Sequence, residues 1–139
     1  MRNRLNMGKI TVLAGNLRKN GNTDRLVEAF AKGPAINNGV EIISVSDHNV
    51  KPCTGCNSCF EREGNRCFQN DDMTEIYEKM NGTDALIIAS PVYFYGISAQ
   101  LKAVIDRLHT PMRKRFHIKK LGLIPVGAAE LPELLSERS

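Results

Sequence analysis

Apolar and polar positions along this chain switch between two rhythms. Lys9–Gly15, reading KITVLAG, is β-branched, apolar and closed by glycine, the pattern of a buried strand. Asn16–Thr23 is polar and contains glycine. Thr23–Lys32 then places Leu26, Val27 and Phe30 on one helical face, and Gly33-Pro34 stops or kinks that helix. Val40–Val45 (VEIISV) reads as a second strand, followed by a polar segment rich in cysteine. Asp72 is expected to cap a helix in which Met73, Ile76, Tyr77 and Met80 sit at i, i+3, i+4 and i+7. Glu75 completes an acidic variant of the capping box. Asp84–Ser90 reads as a third buried strand. Ser98–His109 reads as a third helix, with Leu101, Val104, Ile105 and Leu108 on one face, and Leu121–Ala128 (LGLIPVGA) as a fourth strand. The last eleven residues are ambiguous.

Strands and helices in alternation, with strands apolar throughout, imply a parallel sheet covered on both faces. Right-handed crossovers make this a doubly wound α/β domain. In strand order 2-1-3-4 the switch point lies between strands 1 and 3, so the loops after those strands are expected to carry a site. The fourth strand contains Pro125, as suits an edge strand. Its outer side still needs a cover, from a neighbouring subunit unless this is a truncated product with an exposed seam.

Composition narrows the classes. The 139 residues make one domain, 1–139, and 42% hydrophobic with 24% charged residues excludes disorder, collagen-like repeats and coiled coil. No apolar run approaches the roughly 18–20 residues that span a bilayer. Met1–Lys9 lacks the apolar stretch of a signal peptide, so a cytoplasmic address is expected. A net charge of +4, from 19 Lys+Arg against 15 Asp+Glu, does not point to nucleic acid.

The two switch-point loops carry different chemistry. Gly15–Thr23 (GNLRKNGNT) opens directly onto a helix, where backbone N–H groups attract an anion and Arg18 and Lys19 add charge. It reads as a phosphate cradle or as an ordinary turn capped by Asn22 or Thr23. Its glycine spacing fits neither the dinucleotide fingerprint nor the P-loop. Pro91–Ser98 (PVYFYGIS) holds three consecutive aromatics in a chain with 6% aromatics. A flat conjugated ring suits such a surface, and core packing of a wide loop is the plain alternative.

All four cysteines lie in one segment, spaced Cys53-x2-Cys56-x2-Cys59-x7-Cys67. Tandem x2 steps followed by a nearby fourth thiol suggest a [4Fe–4S] cluster. Zinc sites usually pair two distant C-x-x-C knuckles, and reduced, metal-free cysteines are the remaining reading. His48, His109 and His117 are scattered and read as surface or capping residues, Asp71 and Asp72 as caps, and Asp106-Arg107 as a structural pair. The cationic run Arg113–Lys120 is either a solvated loop or a docking patch for an acidic redox partner or a nicotinamide nucleotide phosphate.

Taken with their order, these motifs resemble one family. GNLRKNGNT resembles the phosphate loop of flavodoxin-like NAD(P)H-dependent FMN reductases, usually GSPRKNGNT. PVYFYGISAQLKAVIDR resembles the flavin-ring loop and following helix of the same family. The cysteine segment resembles that of its iron–sulfur flavoprotein branch. The resemblance runs from about Lys9 to Ala128. It implies a flavodoxin-like FMN-binding domain, C-terminally short because a fifth strand and final helix are not evident. It implies that Asn16, Arg18, Asn20, Asn22 and Thr23 hold the FMN phosphate. Pro91, Val92, Tyr93, Phe94, Tyr95 and Gly96 would line the isoalloxazine, with Ser98 close by. Cys53, Cys56, Cys59 and Cys67 would hold a [4Fe–4S] cluster. Asn16-Leu17 departs from the family's Ser-Pro, losing one hydroxyl and a rigid turn.

The expected function is an FMN-dependent oxidoreductase that transfers electrons, with NAD(P)H or a ferredoxin-like protein as donor, in a homodimer or homotetramer. The flavin carries the chemistry, so no protein acid or base is assigned as catalytic. The rivals are an NAD(P)H-dependent FMN or quinone reductase without a cluster, and a truncated domain that binds no flavin.

Overall fold

The computed structural model describes residues 8–33 and 39–127. Four parallel strands alternate with three helices: β1 (Lys9–Ala14), α1 (Asn22–Lys32), β2 (Gly39–Ser44), α2 (Met73–Met80), β3 (Ala85–Pro91), α3 (Ala99–Arg107) and β4 (Lys120–Val126). The sheet order is β2-β1-β3-β4, with every pairing parallel. This is the doubly wound flavodoxin-like arrangement that strand–helix alternation predicts, and its switch point lies between β1 and β3. Pro34 and the segment from Ala128 onward lie outside the described residues.

Strand period two divides the core in two. Leu13 and Leu86 face α2 and α3, where Ile43, Met73, Ile76, Met80, Leu101 and Val104 are fully or almost fully buried. Val12, Ala14 and Ala89 face the other way, onto Val27 of α1, with Phe30 packed beside them. The four apolar positions expected on α2 are all buried. Leu26 is not: it is 44% exposed, because α1 turns only Val27 and Phe30 to the sheet.

The helix starts depart from expectation. α1 begins after Gly21 with no side-chain cap, so neither Asn22 nor Thr23 caps it. Asp72 is already in helical geometry and does not cap α2. Its carboxylate accepts from the Asn49 amide at 2.6 Å, while Asp71 accepts from the Met73 amide at 3.1 Å. Asp106 and Arg107 do not pair; Asp106 joins Lys102, one turn earlier on α3, and Arg107 joins Asp71. Among the described residues β4 is an edge strand, and Leu121 and Leu123, in register with Leu86 and Ile88, are 64% and 69% exposed.

Candidate functional site

The C-terminal ends of β1 and β3 meet α3 at one tight junction. The Gly15 amide donates to the Ala89 carbonyl at 2.7 Å, and the Ser98 hydroxyl donates to the Gly15 carbonyl at 2.7 Å. The same hydroxyl oxygen accepts from the Leu101 amide and caps α3. A Cβ on Gly15 would lie 2.7 Å from the Leu101 side chain and 2.9 Å from the Ser98 hydroxyl. Glycine is therefore required by close approach. Ser98 is fully buried and acts as a positioning residue between the two loops.

Beyond this junction lies a cavity of about 200 Å³. Asn16, Arg18, Asn22 and Thr23 line it from the β1 loop, and Pro91, Val92 and Tyr93 from the β3 loop. Asn16 is 4% exposed; its amide nitrogen donates to the Arg18 carbonyl at 3.1 Å, and its Oδ1 is buried without a partner. An orphaned buried acceptor is costly unless a ligand group donates to it. Asn20 lies outside the cavity in left-handed geometry, its amide bonded to the Asp24 carboxylate at 2.7 Å.

Phe94, Tyr95 and Gly96 also lie outside the cavity lining, on a tight turn above its rim. Tyr93 and Gly96 exchange both backbone hydrogen bonds, at 2.9 and 3.0 Å. The two central residues both have positive φ, 46° for Phe94 and 65° for Tyr95. That is the pattern of a type I′ turn, which normally takes Asn-Gly. Bulky residues there are strained. The strain presents Phe94 with 97% exposure and Tyr95 with 62%, their rings edge-on to one another.

The cysteine segment leaves the same rim of the sheet after β2 and returns to α2. Its two ends are fastened together. The Asp71 carboxylate accepts from the Lys51 amide at 3.0 Å. Arg107 donates to the Lys51 carbonyl at 2.8 Å and to both Asp71 oxygens at 2.8 and 3.1 Å. Both side chains of this pair are nearly wholly buried. Burial pushes the Asp71 carboxyl up, but hydrogen bonds from Arg107 and from the Lys51 and Met73 amides outweigh it and hold it below the ordinary value. The side chain of Gln69 adds a bond to the Pro52 carbonyl at 3.1 Å.

Within this frame the four thiols are free. Backbone amides donate to two sulfurs: Gly55 to Cys53 at 3.3 Å and Gln69 to Cys67 at 3.4 Å. Bonding to Ser58 lowers Cys56 to about 7. That favours thiolate at Cys56, the form that ligates metal. The donor set therefore fits a thiolate-held group in kind. Among the described residues, however, no three metal-ligating side chains are gathered closely enough to share one ion. Gly55, Asn57, Gly64 and Asn65, all at positive φ, form the turns of this segment.

Sequence reasoning missed the Asp71–Arg107 clamp. The residues are 36 positions apart, and no local spacing links them. His48 and His109 bond locally, to the Ser44 carbonyl and to Arg113.

Residues 8–133 match the sequence model of the family described as NADPH-dependent FMN reductase. The chain belongs to that family. Within the FMN reductases it is similar to an iron–sulfur flavoprotein of Methanocaldococcus jannaschii, 40% identical over 125 residues, covering 87% of this chain and 63% of that protein. It is also 41% identical over 123 residues to an iron–sulfur flavoprotein of Methanosarcina thermophila, covering 87% of this chain and 61% of the relative. The chain thus spans about three fifths of the length of these curated relatives. In fold it is similar to the NAD(P)H:quinone oxidoreductase from Methanothermobacter marburgensis, with a TM-score of 0.78 at 17% identity, over 94% of this chain and 72% of that one. Among the described residues no helix is long and apolar enough to cross a membrane.

Proposed function

We propose that this chain is the flavin-binding part of an electron-transfer oxidoreductase that holds FMN at the β1–β3 switch point and a [4Fe–4S] cluster on its cysteine segment. The observation that carries the reading is the convergence of the two loops on one cavity with an orphaned buried acceptor. At about 200 Å³ that cavity is smaller than the ~300–1,000 Å³ of whole-ligand pockets. It suits the phosphate and adjoining ribityl end of FMN, with Arg18 supplying charge, Asn22 and Thr23 polar contacts to phosphate, and Asn16 Oδ1 accepting from a ribityl hydroxyl. The flat ring would lie along the rim, against Tyr93, Phe94, Tyr95 and Gly96. Ser98 holds the two loops in register without touching the ligand.

Bound FMN supplies hydride and one-electron chemistry, and a cluster supplies one-electron transfer. The chain's own part is to orient the ring and to hold the thiols on the same rim. NAD(P)H is the donor that the family's description favours, and a ferredoxin-like protein is the alternative. The bare β4 side suits a homodimer or homotetramer.

The open spacing of the thiols favours a second reading, an NAD(P)H-dependent FMN or quinone reductase without a cluster. Anaerobic purification decides between them. Flavin bands over a broad visible absorption, with about four iron and four sulfide per FMN, support the first reading. Flavin without iron supports the second. A colourless protein that binds no added FMN overturns both and leaves the non-flavin domain.

A further inference from the structure

A second cavity, larger than the one at the switch point, lies against α2, with a volume of about 440 Å³. That is within the range of small-molecule sites, roughly 300–1,000 Å³. None of its lining residues is shared with the switch-point cavity. Three chain segments build it: the distal part of the cysteine segment, α2, and the turn at 111–115 with Phe116. Phe68, Met112 and Phe116 give it an apolar surface, and Phe68 is half-exposed although nothing polar requires it there. Arg62, Arg66 and Arg115 stand around that surface. Among the described residues none of the three guanidinium groups is paired with a carboxylate. The one acidic group in the lining is Glu78, which leaves two positive charges in excess.

Three arginines without a carboxylate partner, around an aromatic floor, have a definite complement. Guanidinium binds carboxylate or phosphate in a planar, two-pronged fashion and stacks on flat rings. The apolar floor gives affinity to a ring and the arginines give orientation to its charge.

We propose that this cavity is a second binding site, separate from the flavin position, for a small organic anion with a flat aromatic body. The occupant bridges the cysteine segment and α2, and lies against Cys67, which also lines the cavity. None of its contacts involves the switch-point loops, and Cys67 is the one lining residue that the proposed function also uses.

The test is a fluorescence titration of the purified protein with 2-naphthoate in the presence of excess FMN. The neutral 2-naphthalenemethanol serves as the matched probe. The expected result is saturable naphthoate binding at least tenfold tighter than that of the alcohol, weakened by added salt. A double variant, Arg66→Glu with Arg115→Glu, is expected to lose at least tenfold in naphthoate affinity. Both arginines are exposed, so its thermal unfolding should stay that of the parent. Phe68→Ser is expected to weaken both probes alike. Three outcomes overturn the proposal: no saturable binding up to about 1 mM, equal affinity for the two probes, or unchanged naphthoate affinity in the double variant. Loss of naphthoate signal as FMN is raised also overturns it, since that places the probe at the switch point.

Discussion

Two residue-scale features govern the rim of the switch point. Phe94 and Tyr95 hold left-handed backbone geometry that costs roughly 1–2 kcal/mol per non-glycine residue. Tyr95→Gly is therefore expected to stabilise the fold by about 1 kcal/mol, visible as a raised Tm, while weakening FMN binding several-fold. Equal FMN affinity in the variant would show that the strained ring serves no ligand. Gly15 is the second feature. Gly15→Ala forces a methyl group against Leu101 and Ser98, a crowding that costs about 1–3 kcal/mol. Urea unfolding should show that loss. FMN affinity should fall further than in a Ser98→Ala variant, which removes only the α3 cap and one hydrogen bond, about 1 kcal/mol.

At the scale of elements, the clamp on the cysteine segment is the unusual connection. Arg107 reaches from the end of α3 to the base of a loop that begins and ends at residues 51 and 71. Removing one partner of a buried pair costs about 3–5 kcal/mol, because the other charge stays buried. Asp71→Asn should lose on that order at neutral pH. The pair also sets a pH dependence. The folded Asp71 carboxyl sits below its ordinary value, so its contribution is complete above the ordinary aspartate range, near 3.9. It is lost as pH falls through the lower folded value, where the unfolded chain binds the proton more readily. Stability against pH should fall on the acid side in the parent, and the Asn variant should show a shallower fall. Parallel acid limbs would assign the effect to other carboxylates, among them Glu41, which hydrogen bonding by Lys9 holds low.

For the whole molecule, the sheet order was legible because strand periodicity, crossover handedness and apolar strands leave few alternatives. The switch-point rule put the candidate site beyond β1 and β3, where the structure has a cavity. The turn strain at Phe94 and Tyr95, the Asp71–Arg107 clamp and the Arg-lined cavity were not legible. Each depends on residues far apart in sequence, or on φ values that aromatic residues rarely adopt. The exposure of Leu26 likewise reflects which arc of α1 meets the sheet, something periodicity alone leaves open. The edge strand carries an assembly prediction. Leu121 and Leu123 are exposed, so changing both to serine should alter stability by no more than about 0.5 kcal/mol each. Sedimentation velocity should nonetheless shift towards the monomer. An unchanged sedimentation coefficient would exclude β4 as the contact between copies. The clamp has one more consequence. It ties both ends of the cysteine excursion to the end of α3, so opening the loop at its base has to break a buried ion pair.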